Sequence, residues 1–277
     1  MMSRAKIVVP VDTLRVLYAK KNWSPRKIGA RFGCDAVTIR SRLKEAGILL
    51  KTKSAAQTRY PKYDFSGTDT QRAYILGFRY GDLNVYRPQA TSEILVVRCH
   101  STHVAQEIVF TQIFKRYGKI TFSRNARSTH MNCYLNMSFS FLLEKYNERE
   151  QKWLLVDRNR MRAFIAGYVD AEGTFGLNQG RGRFKIDSYD VAILQDVHQF
   201  LLGQGIRSKL RLILGKGITR WGQPWRSDLW RLTVNEAGSL EMLIHAILPY
   251  CIHSKRLRDA KIVLTNIRQR RIHGTIK

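Results

Sequence analysis

The chain has 277 residues, 44% of them hydrophobic, and 48 Lys and Arg against 21 Asp and Glu give a formal net charge of +27. That length exceeds what one core usually holds, so two or three folding units are expected, and the apolar content excludes a disordered polycation. So positive a field selects polyanions, with nucleic acid first. A membrane partner is not expected, because the sequence shows neither a long apolar span nor a basic amphipathic anchor, and "MMSRAKIVVP" has no signal-peptide apolar region. The expectation is a soluble, intracellular protein. Cys34, Cys99, Cys133 and Cys251 form no CxxC pair and read as reduced thiols.

Residues 1–55 read as a small all-α unit. "PVDTLRVLYAKK" has helical spacing; "SPRKIGARFG" opens on Ser24 as N-cap with Pro25 in the first turn and closes on Gly33. "DAVTIRSRLKEAG" follows a tight turn, with Asp35 as cap and Gly47 as terminator. Ile28, Ile39 and Leu43 would form its core. The pattern resembles the helix-turn-helix of recombinase and regulator DNA-binding domains, which implies a third helix presenting Val37, Arg40, Ser41 and Lys44 to the major groove. Residues 56–69 lack any period and read as a linker.

From residue 70 the pattern runs through the same order twice. In 70–152 come helix "DTQRAYILGFRYGDL", strands "NVYR" and "EILVVRCHS", helix "HVAQEIVFTQIFKRYG", strands "KITFSRN" and "MNCYLNMSFS", and a short helix "FLLEKYN". In 153–277 come helix "RMRAFIAGYVDAEG", strands "TFGLNQ" and "GRFKIDSYD", helix "VAILQDVHQFLLGQG", strands "SKLRLILGKG" and "LWRLTVN", helix "GSLEMLIHAIL" and a basic last helix. The repeated order α-β-β-α-β-β-α predicts two homologous halves. Trp221, Trp225 and Trp230 read as core or loop anchors.

Strand alternation separates two faces. Asn132, Tyr134, Asn136 and Ser138 oppose Cys133, Leu135, Met137 and Phe139; Arg183, Lys185, Asp187 and Tyr189 oppose Phe184 and Ile186; Lys209 and Arg211 oppose Leu210, Leu212 and Leu214. Helices would cover the apolar faces, leaving basic and polar faces as a surface for double-stranded DNA.

The two lead helices align as "ILGFRYGDL" under "IAGYVDAEG", which matches Gly77 with Gly167, Gly81 with Ala171 and Asp82 with Glu172. Small residues four apart allow two helices to approach closely. Packed there, both carboxylates would emerge at the negative ends of helix dipoles, where a cation is needed to offset repulsion, and oxygen ligands at a wet site suit Mg²⁺. The pair resembles the two motifs of single-chain LAGLIDADG homing endonucleases over about residues 70–270. The second motif matches at Gly167, Asp170, Glu172 and Gly173, and the first at Ala73, Tyr74, Gly77, Gly81 and Asp82. The first departs at Tyr80 and at Leu83, where the family has Gly, and Asn84 is expected to supply a left-handed turn instead.

The resemblance implies an α+β fold, with two pseudo-symmetric αββαββα repeats forming an antiparallel β-saddle over the DNA major groove. It implies a monomer with an internal pseudo-two-fold axis that cleaves both strands. It assigns Asp82 and Glu172 to Mg²⁺, and Lys255 in "LPYCIHSKRLRDA" to the solvent around the scissile phosphate. Lys145 is the corresponding choice in the first repeat. The alternative is a cleavage-inactive relative, acting on RNA as a maturase or on DNA as a transcription regulator.

Overall fold

The computed structural model describes residues 9–21, 23–51, 60–217, 219–220, 223–224 and 226–276. Two compact units divide between Tyr60 and Pro61. Among the described residues, no helix is long and apolar enough to cross a membrane.

In the first unit, α1 (Val11–Arg15) continues into a π-helical turn, Val16–Lys20. After it come α2 (Pro25–Phe32) and α3 (Ala36–Glu45). Ser24 Oγ accepts the Lys27 amide at 3.2 Å, and Asp35 Oδ1 accepts the Thr38 amide at 2.7 Å. Gly33 ends α2 with φ of 71°. The turn folds tightly onto α2, because a Cβ at Gly29 would run into the Cys34 carbonyl oxygen. Ile28, Ile39 and Leu43 are fully buried, with Leu14, Leu17 and Tyr18 completing the core. Val37, Arg40, Ser41 and Lys44 are all exposed on α3.

The second unit begins earlier than the linker reading places it. Phe65 packs on Tyr117, Phe139 and Phe141, and its amide donates to Ser138 Oγ at 2.8 Å. Residues 61–68 therefore belong to this unit; 56–59 lie outside the described residues, as do Trp221 and Trp225, while Trp230 is half-buried against the core. Its first repeat comprises α4 (Asp69–Asp82), β1 (Leu83–Tyr86), β2 (Ile94–Ser101), α5 (Val104–Phe114), β3 (Ile120–Arg124) and β4 (Thr129–Asn136). The strand read through "MNCYLNMSFS" stops at Asn136, since the Asn136 side chain caps a 3-10 turn, Met137–Leu142. The helix expected over "FLLEKYN", residues 141–147, does not form there: helix α6 (Glu148–Leu155) starts just after it, capped by Asn147, and crosses the expected 152/153 boundary.

The second repeat follows with α7 (Arg158–Glu172), β5 (Gly173–Asn178), β6 (Arg181–Ser188), α8 (Val191–Gly203), β7 (Lys209–Leu214), β8 (Thr219–Arg220), β9 (Gln223–Pro224), β10 (Leu229–Val234), α9 (Ala237–Ile247) and α10 (Ser254–Ile272). The sheets have orders β1-β2-β4-β3 and β5-β6-β10-β7, every pairing antiparallel, and β8-β9 forms an unforeseen small hairpin. One continuous core lies between the sheets and helices. Leu212 departs from the expected apolar face: it is 47% exposed on β7, at the edge of its sheet.

Candidate active site and nucleic-acid interface

Helices α4 and α7 meet through reciprocal contacts. A Cβ at Gly77 would lie 2.8 Å from Tyr168 N and nearer still to Phe164 O; one at Gly167 would lie 2.9 Å from Phe78 N and nearer still to Tyr74 O. Each glycine faces the residue three before the other, the signature of a local two-fold axis. One turn further on, a Cβ at Gly81 would run into Ala171 Cβ. Only residues without bulk at these points let the two backbones touch.

Each helix passes straight into a strand, with Leu83 extended at φ −102°, ψ 133° and Gly173 at φ −71°, ψ 154°. Neither position needs the left-handed region, and Asn84 is not among the residues with positive φ, so the expected compensating turn is absent. Glycine is required at 173 for space instead, since a Cβ there would lie 2.8 Å from Val169 O. The Leu83 side chain is instead buried in the core. Asp82 is thus carried to the same helix-to-strand junction as Glu172.

The two carboxyls sense each other. Burial pushes Asp82 up to about 6, against the lowering effects of Gln106 and of the Arg256 charge. Burial and then the Asp82 charge push Glu172 up to about 7, again against Arg256. Glu172 nonetheless keeps exposed surface, so the pair is open to solvent on one side.

Two contributors were not foreseen. Gln106 on α5 is 5% exposed, and its Nε2 donates to Asp82 Oδ2. Arg256 on α10 is the cation acting on Asp82, Glu172 and Asp170 alike, and its buried Nε has no hydrogen-bond partner among the described residues. Lys255, the residue expected there, instead donates Nζ to Asp259 at 2.7 Å along the same helix. Lys145 is exposed in a cleft with Arg79, Tyr80 and Asp190.

The register of α10 is set by Asp170. This fully buried residue accepts the Ile252 amide at 2.6 Å, the His253 amide at 3.0 Å and the Tyr74 hydroxyl at 2.7 Å, all on Oδ2. Burial raises its pKa while those donors lower it. His253 Nδ1 in turn accepts the Arg256 amide at 3.4 Å, and burial pushes His253 down to about 4, which keeps it neutral.

The donor set suits Mg²⁺, which commonly takes one or two protein carboxylates and completes its shell with water and phosphate oxygens. Among the described residues, no group of three His, Cys, Asp or Glu is placed to hold a metal without such help.

Strand register sorts the remaining candidates. Asn132 and Tyr134 lie on the outward face of the first sheet, where Arg98 donates Nε to Asn132 Oδ1 at 3.0 Å and Nη2 to Tyr86 Oη at 3.1 Å. Asn136 is already committed: its Nδ2 donates to Asp64 at 2.7 Å and its Oδ1 accepts from Ser138. Arg183, Lys185, Lys209 and Arg211 share the outward face of the second sheet, and Arg183, Lys185, Arg211 and Arg231 line a cleft of about 410 Å³ there. Tyr189 lies one residue past the end of β6, beside Asp190 in the cleft that contains Arg79 and Lys145.

Residues 159–243 match the family described as LAGLIDADG-like domain. No curated protein matches the sequence. Among solved structures, mesophilic variants of the homing endonuclease I-DmoI share 19% identity over 65% of this chain and 96% of theirs, with a TM-score of 0.46. I-DmoI in complex with DNA and Mn gives 19% over 65% and 97%, at 0.45. Full-length DUF199/WhiA from Thermatoga maritima gives 13% over 75% of this chain and 63% of its own, at 0.48. Residues 159–243, within the second repeat, are similar to a LAGLIDADG-like domain, and the first repeat shares the order of elements and mirrors the helix contact.

Proposed function

We propose that the protein is a site-specific, Mg²⁺-dependent endonuclease of double-stranded DNA, of the homing type. The observation that carries this reading is the pair Asp82 and Glu172, delivered by two-fold-related helices to one solvent-open place between polar sheet faces. The sheet faces would hold the duplex through phosphates and base edges. Gln106 would fix the Asp82 carboxylate by its hydrogen bond, and Arg256 would lower the cost of ionising both acids. Mg²⁺, when held by the two carboxylates, supplies an acidified water for in-line attack and offsets charge on the leaving 3′ oxygen. The exposed α3 side chains Val37, Arg40, Ser41 and Lys44 would extend the DNA contact from the first unit.

One observation favours a second reading, in which the fold binds nucleic acid without cutting it, as a DNA regulator or RNA maturase. The cation beside the carboxylates, Arg256, comes from the second repeat, while the first repeat contributes uncharged Gln106. Incubating the protein with supercoiled plasmid bearing its own flanking DNA, with Mg²⁺ or with EDTA, tests the choice. Linear product with Mg²⁺ alone is expected; tight binding of DNA or RNA with no cleavage at any Mg²⁺ concentration would favour the second reading.

A further inference from the structure

The outward faces of the two sheets can be compared row by row, since opposite residues in an antiparallel pair point to the same side. The second sheet has the rows Thr174–Lys185–Thr233–Lys209, Gly176–Arg183 and Asp187–Arg231–Arg211. At the equivalent places the first sheet has Asn84–Arg98–Asn132–Thr121, Tyr86–Val96–Tyr134 and His100–His130–Ser123. Val96 thus stands where the second sheet has Arg183, Thr121 where it has Lys209, and Ser123 where it has Arg211.

The chemistry of the two faces therefore differs in kind. The second carries six cations, Arg181, Arg183, Lys185, Lys209, Arg211 and Arg231, against the single acid Asp187. Asp187 engages Arg231 and Lys185, leaving the other four without an ion pair among the described residues. Arg183, which lines the 410 Å³ cleft, has a buried Nε with no hydrogen-bond partner among the described residues. The first face has Arg98 as its one Lys or Arg, and that side chain is held by Asn132 and Tyr86. On the same face lie the exposed amide of Asn84 and the exposed Tyr134 ring, with Ile94 half-buried and Val96 buried.

Arg and Lys offer only donors, which suits the paired O6 and N7 acceptors of guanine; amides suit adenine, and apolar side chains suit the thymine methyl. We infer that the target is lopsided, G·C-rich where it meets the second sheet and A·T-rich where it meets the first. This rests on the proposed DNA binding and requires no cleavage.

The test is selection of bound duplexes from a randomised DNA pool by the full chain, followed by sequencing. One half of the recovered site should be enriched in G on either strand and the other in A and T. The double variant Arg183→Ala, Arg211→Ala should lower the guanine preference about tenfold at each contacted position, in the G·C half alone. Ser123→Arg, at the exposed position equivalent to Arg211, should create a guanine preference in the A·T half. Two halves of like composition in the wild type would overturn the inference while leaving DNA recognition intact. Relaxation of both halves by the double variant would overturn it too. A pool with no enriched sequence would defeat the DNA reading itself, and the inference with it.

Discussion

At the end of α7, Asp170 is buried and gathers the amides of Ile252 and His253 with the Tyr74 hydroxyl. At the equivalent point of α4, Tyr80 sets its ring edge-on to Tyr146 at 5.6 Å and its buried hydroxyl has no hydrogen-bond partner among the described residues. The first repeat instead secures its helix end through Arg79, whose guanidinium donates to the carbonyls of Leu142 and Leu83 at 3.0 and 2.8 Å. Two-fold symmetry of the backbone contact therefore does not impose symmetry of chemistry. The second repeat uses its inner carboxylate to hold the start of α10, and so places Arg256 near the site. The first repeat uses an aromatic filler there and sends in Gln106 from α5.

The largest effects should fall where the repeats are alike. Gly77→Val and Gly167→Val each drive side-chain carbons into a facing backbone that cannot yield, so each should destabilise by at least about 3 kcal/mol in chemical denaturation. Unequal losses, with one variant near wild type, would break the two-fold description of the helix contact.

A smaller and unequal response is expected where the repeats differ. Asp170→Ala leaves two amides and a hydroxyl without their acceptor and should cost about 3 kcal/mol, whereas Tyr80→Phe removes an unpartnered hydroxyl and should stay within about 0.5 kcal/mol. Equal costs would mean that Tyr80 carries a polar contact comparable to that of Asp170. On cleavage, Arg256→Ala should reduce turnover about 100-fold with DNA affinity little changed, and Lys255→Ala should stay within about threefold. The reverse ranking would restore Lys255 as the important cation.

Much of this was legible in the sequence. The caps Ser24 and Asp35, the helix glycines and the doubled order of elements all depend on local residues, whose signals survive without tertiary context. Gln106 and Arg256 were missed because each reaches the site from outside the paired motifs, through tertiary packing. A signal for Gln106 existed nonetheless: "VAQ" at 104–106 opens α5 as "VAI" at 191–193 opens α8, so an amide stands where its counterpart is the buried Ile193. Lys255 and Arg256 are adjacent cations, and only the anchoring of α10 by Asp170 and the Lys255–Asp259 pair separates their roles. Asn136 looked like a base reader by alternation alone, because a cap and a strand residue share the same side-chain chemistry.

The mildest prediction concerns pH in metal-free protein. The folded state raises Asp82 to about 6 and Glu172 to about 7, above their ordinary 3.8 and 4.5, so it holds more protons than the unfolded chain in that interval. The pair's contribution to stability should therefore fall as pH rises from about 4 to 7, and Glu172→Gln should flatten that part of the thermal-melting profile. Mg²⁺ at pH 8 should recover stability in the wild type and not in the variant. A profile unchanged by the substitution would separate Glu172 from the proton-holding pair.

The most direct measurement of the central claim is plasmid cleavage by Asp82→Asn and Glu172→Gln beside wild type, with duplex binding followed on the same DNA in Mg²⁺ and in Ca²⁺. If the two helix ends form one metal-holding site, both variants should bind their target and neither should linearise it. Wild type in Ca²⁺ should bind without turnover, because Ca²⁺ prefers more ligands at longer distances. Full linearisation by Glu172→Gln, with wild-type dependence on Mg²⁺, would contradict the account and move the chemistry away from this pair.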